Sequence, residues 1–182
     1  MVTYRLSMVL KDDAASLYTI FGTQDSPMIV PPAMQIGAPF GAHIGGVNPV
    51  LIAVQPSAAA DSWLSVGITD GDSTGALSAI GIDFLSWTAT SGITVDEGAI
   101  FWLSPADAPG GSVTMAQLTI PAGDSFDLVL NAQGRPKTVT GVTGSANYRR
   151  LRRYRWRLAA ERSSLYAGQR CSCSATADVR PG

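Results

Sequence analysis

The sequence predicts an all-β fold, a β-sandwich of jelly-roll type, and three observations carry that reading. Apolar runs are short and bounded by Gly, Pro, Asp, Asn or Ser, as strands between tight turns require. No helical period is visible before residue 145. Hydrophobic residues make up 46% and charged residues 15%, against ~25% charged in ordinary soluble domains, so most of the chain has enough apolar surface to form a core.

Each element follows from its own pattern. In TYRLSMVL (3–10), Tyr4, Leu6, Met8 and Leu10 share one face at period two, and Thr3, Arg5 and Ser7 share the other. Seven further strands are expected at SLYTIF (16–21), PVLIAVQ (49–55), SWLSVGI (62–68), AIGIDF (79–84), AIFWL (99–103), SVTMAQLTI (112–120) and SFDLVL (125–130). WLSVGITDGD and WTATSGITVDEG share Trp, Gly-Ile-Thr and an acidic turn, which reads as two similar strand-to-turn units. Residues 29–49 form a long loop rich in Pro and Gly, pinned by Met34, Ile36 and Phe40, that holds His43, the sole histidine.

Charge divides the chain. Up to Gly134 there are two basic and twelve acidic residues, a net of −10, and from Arg135 onward eleven basic and two acidic, a net of +9. The expected organisation is a β-sandwich module over residues 1–136 and a basic C-terminal extension, partly helical or disordered, over 137–182. A helix is expected from Asn147 to about Tyr166, with Leu151, Tyr154 and Leu158 on one stripe among Arg149, Arg150, Arg152, Arg153, Arg155 and Arg157. Such a segment would meet nucleic-acid phosphates, an anionic lipid surface or an acidic protein, or would be no more than a solvated or adventitious extension.

The longest uncharged stretch, 26–60, is interrupted by six prolines, so no membrane-spanning helix is expected. The first residues alternate like a strand and lack the apolar centre of a secretory signal. The expectations are a cytoplasmic protein, or a mature or excised module whose leader is absent, with a lean to an extracellular protein or to a module excised from a larger one. Cys171 and Cys173 are too close for mutual pairing, and the body has no cysteine.

Candidate chemistry centres on Asp70-Gly-Asp72-Ser-Thr74-Gly75. Asp70, Asp72 and Thr74 alternate, with Gly75 sixth, as in the opening of an EF-hand calcium loop. The twelfth position is Gly81 and not Glu, which removes the EF-hand and leaves a looser Ca²⁺ site, completed by Asp83, Asp96 or Glu97, or a plain Asp-Gly turn. Asp96 and Glu97 form an acidic pair of the kind acid–base hydrolysis uses, but neighbouring residues on a hairpin tip point apart. No G-x-S-x-G, G-x-G-x-x-G, Walker or zinc-ligand spacing is present, and a Ser-His-Asp set would have to use His43. Trp63, Trp87 and Trp102 are candidate stacking platforms for carbohydrate, although each lies inside an apolar run suited to core packing.

The stretches APFGAHIGGVNP, DSWLSVGITDGD, IGIDFLSW, GAIFWL and AQLTIPAG…NAQGR resemble β-rich modules that recur in large, multi-module proteins of marine algae and microbes. The resemblance spans about residues 3–135, brings no catalytic residues, and implies a binding or assembly role. The expected function is therefore a non-catalytic interaction or self-assembly module, calcium-supported if the Asp70 loop binds metal, whose partner is protein (a second copy or a neighbouring module). A lectin-like carbohydrate-binding module and a polysaccharide hydrolase are the alternatives.

Overall fold

Two antiparallel β-sheets packed face to face make up the computed structural model, which describes residues 1–137 and the backbone of Arg152–Leu158 and Cys171–Ser174. The strands are β1 (Val2–Val9), β2 (Ala14–Gly22), β3 (Met28–Val30), β4 (Trp63–Leu64), β5 (Leu77–Ile80), β6 (Ile93–Val95), β7 (Gly98–Trp102), β8 (Ser112–Ile120), β9 (Phe126–Pro136), β10 (Arg152–Leu158) and β11 (Cys171–Ser174). The smaller sheet runs β11-β1-β8-β4, with β11 parallel to β1 and the other neighbours antiparallel.

The larger sheet has fewer lanes than strands. Val129 on β9 is registered with Ile29 of β3 on one edge and Arg155 of β10 on the other, while Asn131 is registered with Phe21 of β2 and Arg153 of β10. It follows that β2 and β3 line the same edge of β9 in succession, and β10 lines the opposite edge. Beyond them β7 pairs β2, β6 pairs β3, and β5 closes the sheet outside β7.

One core lies between the sheets. The alternation read in the first strand places Leu6 and Met8 in it, against Val113, Met115 and Leu118 from β8 and Leu17, Ile20, Ile100, Leu128 and Leu130 from the larger sheet. A second, smaller cluster of Val47, Ala58 and Trp63, flanked by Phe40, Leu51 and Ile52, sits on the outer side of the smaller sheet beneath the 37–60 segment. The long Pro/Gly loop is thus packed, as Phe40 suggested.

Three expectations are corrected. PVLIAVQ is not a strand: Pro49–Val54 forms a short helix, α1, followed by a 3₁₀ turn over Pro56–Ala60. Asn48 caps α1 by accepting from the Val50 N–H at 2.9 Å, and Pro49 pre-sets the first helical φ, so local start signals override the β-branched composition. AIGIDF is a strand only to Ile80, because Gly81 takes φ +69° and Asp83 caps a 3₁₀ turn at Phe84–Ser86. Finally, Arg152–Leu158 is a strand and not part of a helix. Arg153, Arg155 and Arg157 alternate with Tyr154, Trp156 and Leu158, a period of two, and β9 supplies an edge to pair with. Arg149, Arg150 and the rest of the expected helix lie outside the described residues. Among the described residues no helix is long and apolar enough to cross a membrane.

Candidate functional site

The Asp70–Gly75 loop leads directly into β5. Asp72 adopts φ +42°, a left-handed conformation that Asp tolerates better than most residues. Its Oδ1 accepts from the Ala76 N–H and its Oδ2 from the Leu77 N–H, both at 2.8 Å, and its carbonyl accepts from Gly75 at 3.0 Å. Asp70 forms a backbone bridge with Gly46, and Gly71 donates to the carbonyl of Gly45 at 3.0 Å. That approach demands glycine: a Cβ on Gly46 would lie 2.3 Å from the Thr69 carbonyl oxygen. An open depression of about 380 Å³ runs alongside, from Gly67 to Thr74.

A Ca²⁺ ion needs six to eight oxygens converging at ~2.3–2.6 Å. Here both carboxylate oxygens of Asp72 face N–H donors, and Thr74 Oγ1 donates to Oδ1 at 3.4 Å. Asp83 Oδ1 accepts from Leu85 N–H at 3.1 Å. Among the described residues no three His, Cys, Asp or Glu side chains cluster as metal ligands would. The Asp72 carboxylate thus closes the turn that opens β5, Asp70, Asp72 and Thr74 line the depression beside it, and Asp83 caps a separate 3₁₀ turn.

The other acidic pair divides as a hairpin tip should. Asp96 is exposed between β6 and β7, while Glu97 Oε1 accepts from Gln24 Nε2 at 2.6 Å, tying that tip to the loop between β2 and β3. The indoles are similarly engaged. Trp63 is 1% exposed beneath the helical layer, with the Arg5 guanidinium 5.5 Å above its ring. Trp87, 2% exposed, donates from Nε1 to the Pro31 carbonyl at 2.8 Å, and half-buried Trp102 donates to that of Val66 at 2.6 Å. Trp63 and Trp87 present no open face to a sugar, because the apolar runs around them bury the rings. His43 stacks on Phe84 with centroids 5.2 Å apart and planes within 6°, as a packing residue.

Three buried polar residues organise the loops and carried no sequence signature. Asp61, wholly buried, accepts at 2.7 Å from the N–H of Ile36 through Oδ1 and of Ala42 through Oδ2, which clasps the 37–41 segment. Burial pushes its carboxyl above the usual range, opposed by the N–H groups of Ala42, Ile36 and Ser62 and by nearby His43. Gln117 donates to the carbonyls of Ala59 and Asp61 at 3.0 and 2.7 Å and accepts from Arg5. Asn131 donates to the carbonyls of Phe21 and Ser26 at 3.1 and 2.7 Å and accepts from Ser26 Oγ at 2.9 Å.

The outward side of the larger sheet is partly covered, with Thr19 and Asn131 buried and Phe21 and Phe101 half-buried, and it opens to solvent toward its β5 edge. Register aligns Ser78, Phe101, Thr19 and Gln133 in one row and Ile80, Ala99, Phe21 and Asn131 in the next. Since Ile20 and Ile100 point into the core, Phe21, Thr19, Ala99 and Phe101 point away from it. No charged residue occurs in β2, β3, β5, β6 or β7. Ile80 is 67% exposed at the end of β5, and Leu103, just past β7, is also exposed.

No family model, curated protein or solved structure matches the chain.

Proposed function

We propose that the chain is a non-catalytic interaction or self-assembly module that works through the outward face and the β5 edge of its larger sheet. The supporting observation is that five adjoining strands carry no charge while twelve acidic residues crowd the rest of the body. A sheet face meant only for water ordinarily alternates apolar residues with charged or strongly polar ones. Charge depletion around the exposed aliphatic side chains of Ile80 and Leu103 and the half-buried rings of Phe21 and Phe101 is the composition of a contact surface. Aspartates that would otherwise suggest chemistry are engaged in structure: Asp61, Asp72 and Asp83 all accept from backbone N–H groups.

The contact reading is preferred to a sugar site because Trp63 and Trp87 are buried and the indole N–H of Trp102 is already bonded. Sedimentation velocity over a concentration series tests it. A mass that rises with concentration is expected, and a strict monomer would overturn the self-assembly form of the reading.

A further inference from the structure

The geometry points to a two-fold dimer in which the β5 edges of two copies pair antiparallel about Ala79, extending the larger sheet from one copy into the other. This rests on the interaction-module reading and names its partner.

The hydrogen-bond phase of β5 sets out which groups are available. Leu103 N–H donates to the Ala76 carbonyl at 2.9 Å, and Leu77 is registered with Trp102. In an antiparallel ladder bonded and non-bonded pairs alternate, so Ser78 and Ile80 direct their backbone groups at β7, whereas Leu77 and Ala79 direct theirs away. The outward N–H of Leu77 is taken by Asp72 Oδ2. The carbonyl of Leu77 and both backbone groups of Ala79 are left without a ladder partner among the described residues.

That remnant is self-complementary. Rotation about an axis at Ala79 brings its N–H to the Ala79 carbonyl of the other copy and the reverse, two bonds from one residue type. The same register sets Ile80 opposite Ser78 of the other copy, covering an aliphatic side chain that is 67% exposed.

Self-complementarity selects a second copy as the occupant, and the charge pattern agrees with it. A basic partner would find its counter-charges at the acidic turns, such as Asp12-Asp13 and Asp96-Glu97, and not at Leu77–Ile80. The acidic turns of two copies repel wherever they meet, and an uncharged strand is where the copies approach without that penalty. Natural edges are ordinarily guarded by charge, proline or a covering loop, and β5 has only the Asp72 loop at its first residue.

Sedimentation velocity on the full chain, with melting curves alongside, tests the pairing using Ala79→Pro, Ile80→Lys and the control Val54→Lys. Ala79→Pro removes an N–H that faces away from β7, and Val54 is 69% exposed on α1, outside the larger sheet. The expected result is concentration-dependent dimer for the wild type and for Val54→Lys, with dissociation constants at least tenfold weaker for the two β5 variants. If Ala79→Pro fails to fold, Ile80→Lys decides alone. Dimerisation unchanged in Ile80→Lys would overturn the β5 pairing while leaving self-association standing. A wild type monomeric throughout would overturn both.

Discussion

Asp72 Oδ2 accepts from the N–H of Leu77 at 2.8 Å, and Leu77 is the first residue of β5, the outermost strand of the larger sheet. One side chain thereby closes a turn, tolerates a left-handed backbone and occupies a backbone donor that would otherwise stand open at a sheet edge. The motif that most resembles metal chemistry in the sequence thus has an architectural role as well.

Asp72→Ala leaves the N–H groups of Ala76 and Leu77 unpaired and places a residue ill suited to φ +42° at that position. Loss of a partner to a sequestered donor costs ~1–3 kcal/mol. Urea unfolding should show destabilisation of about that size, with Asp72→Asn milder because Asn keeps one acceptor and tolerates left-handed φ. Asp72→Ala as stable as the wild type would refute the turn-closing role.

Each oxygen of Asp72 already accepts a backbone N–H, so the turn is closed without an ion and its stability should not depend on calcium. Melting curves in millimolar CaCl₂ and in excess chelator are expected to coincide. A chelator-induced drop that is reversed by added calcium, and abolished in Asp72→Ala, would restore the metal reading.

Much of the fold was legible in the sequence because a strand with one buried side announces itself at period two. Leu6 and Met8 fell into the core as the alternation required, and the eighth strand spans Ser112–Ile120 as its apolar run indicated. PVLIAVQ misled because Val and Ile favour strands, while the Asn48-Pro49 start signal favours a helix. The three-residue strands β3 and β6 were too short to declare a period. Asp61 and Asn131 were illegible for a different reason. Asp61 works across 25 and 19 residues and Asn131 across 110 and 105, so nothing adjacent in sequence distinguishes them from ordinary turn residues.

Asn131 joins the successive strands β2 and β3 at the point where the chain loops out between them. Its amide donates to Phe21 and Ser26 carbonyls and its oxygen accepts from Ser26, so Asn131→Ala strips partners from three polar groups at once. A loss of ~2–4 kcal/mol in unfolding free energy is expected. Faster hydrogen exchange should be confined to the Thr23–Ser26 turn and its neighbours. Exchange unchanged there would separate Asn131 from that loop.

Trp87 combines close packing with a bond to the Pro31 carbonyl at 2.8 Å. Trp87→Phe keeps a ring but loses the donor and part of the volume, and Trp87→Ala leaves a cavity. The costs should rank in that order, reaching ~3–5 kcal/mol for alanine. Equal, small costs by thermal and urea unfolding would mean that the indole is not a core element.

Asp61 supplies the pH signature. Desolvation raises its native pKa above the ordinary 3.8 in spite of the N–H groups it accepts from. In the window between the unfolded value near 3.8 and the raised native value, the folded state therefore binds more protons than the unfolded chain. The contribution of Asp61 to stability is fully present below the unfolded pKa and is lost as pH rises through the native one. Ordinary acid unfolding of the remaining carboxylates overlies this trend, so the comparison must be differential. Urea unfolding of the wild type and Asp61→Asn across an acid series isolates it, because asparagine does not titrate. The stability advantage of the wild type over Asp61→Asn should grow as pH falls through that window and level off below it. A difference that stays flat, or shrinks on acidification, would show that the N–H groups of Ile36 and Ala42 outweigh desolvation and hold Asp61 as a low-pKa carboxylate.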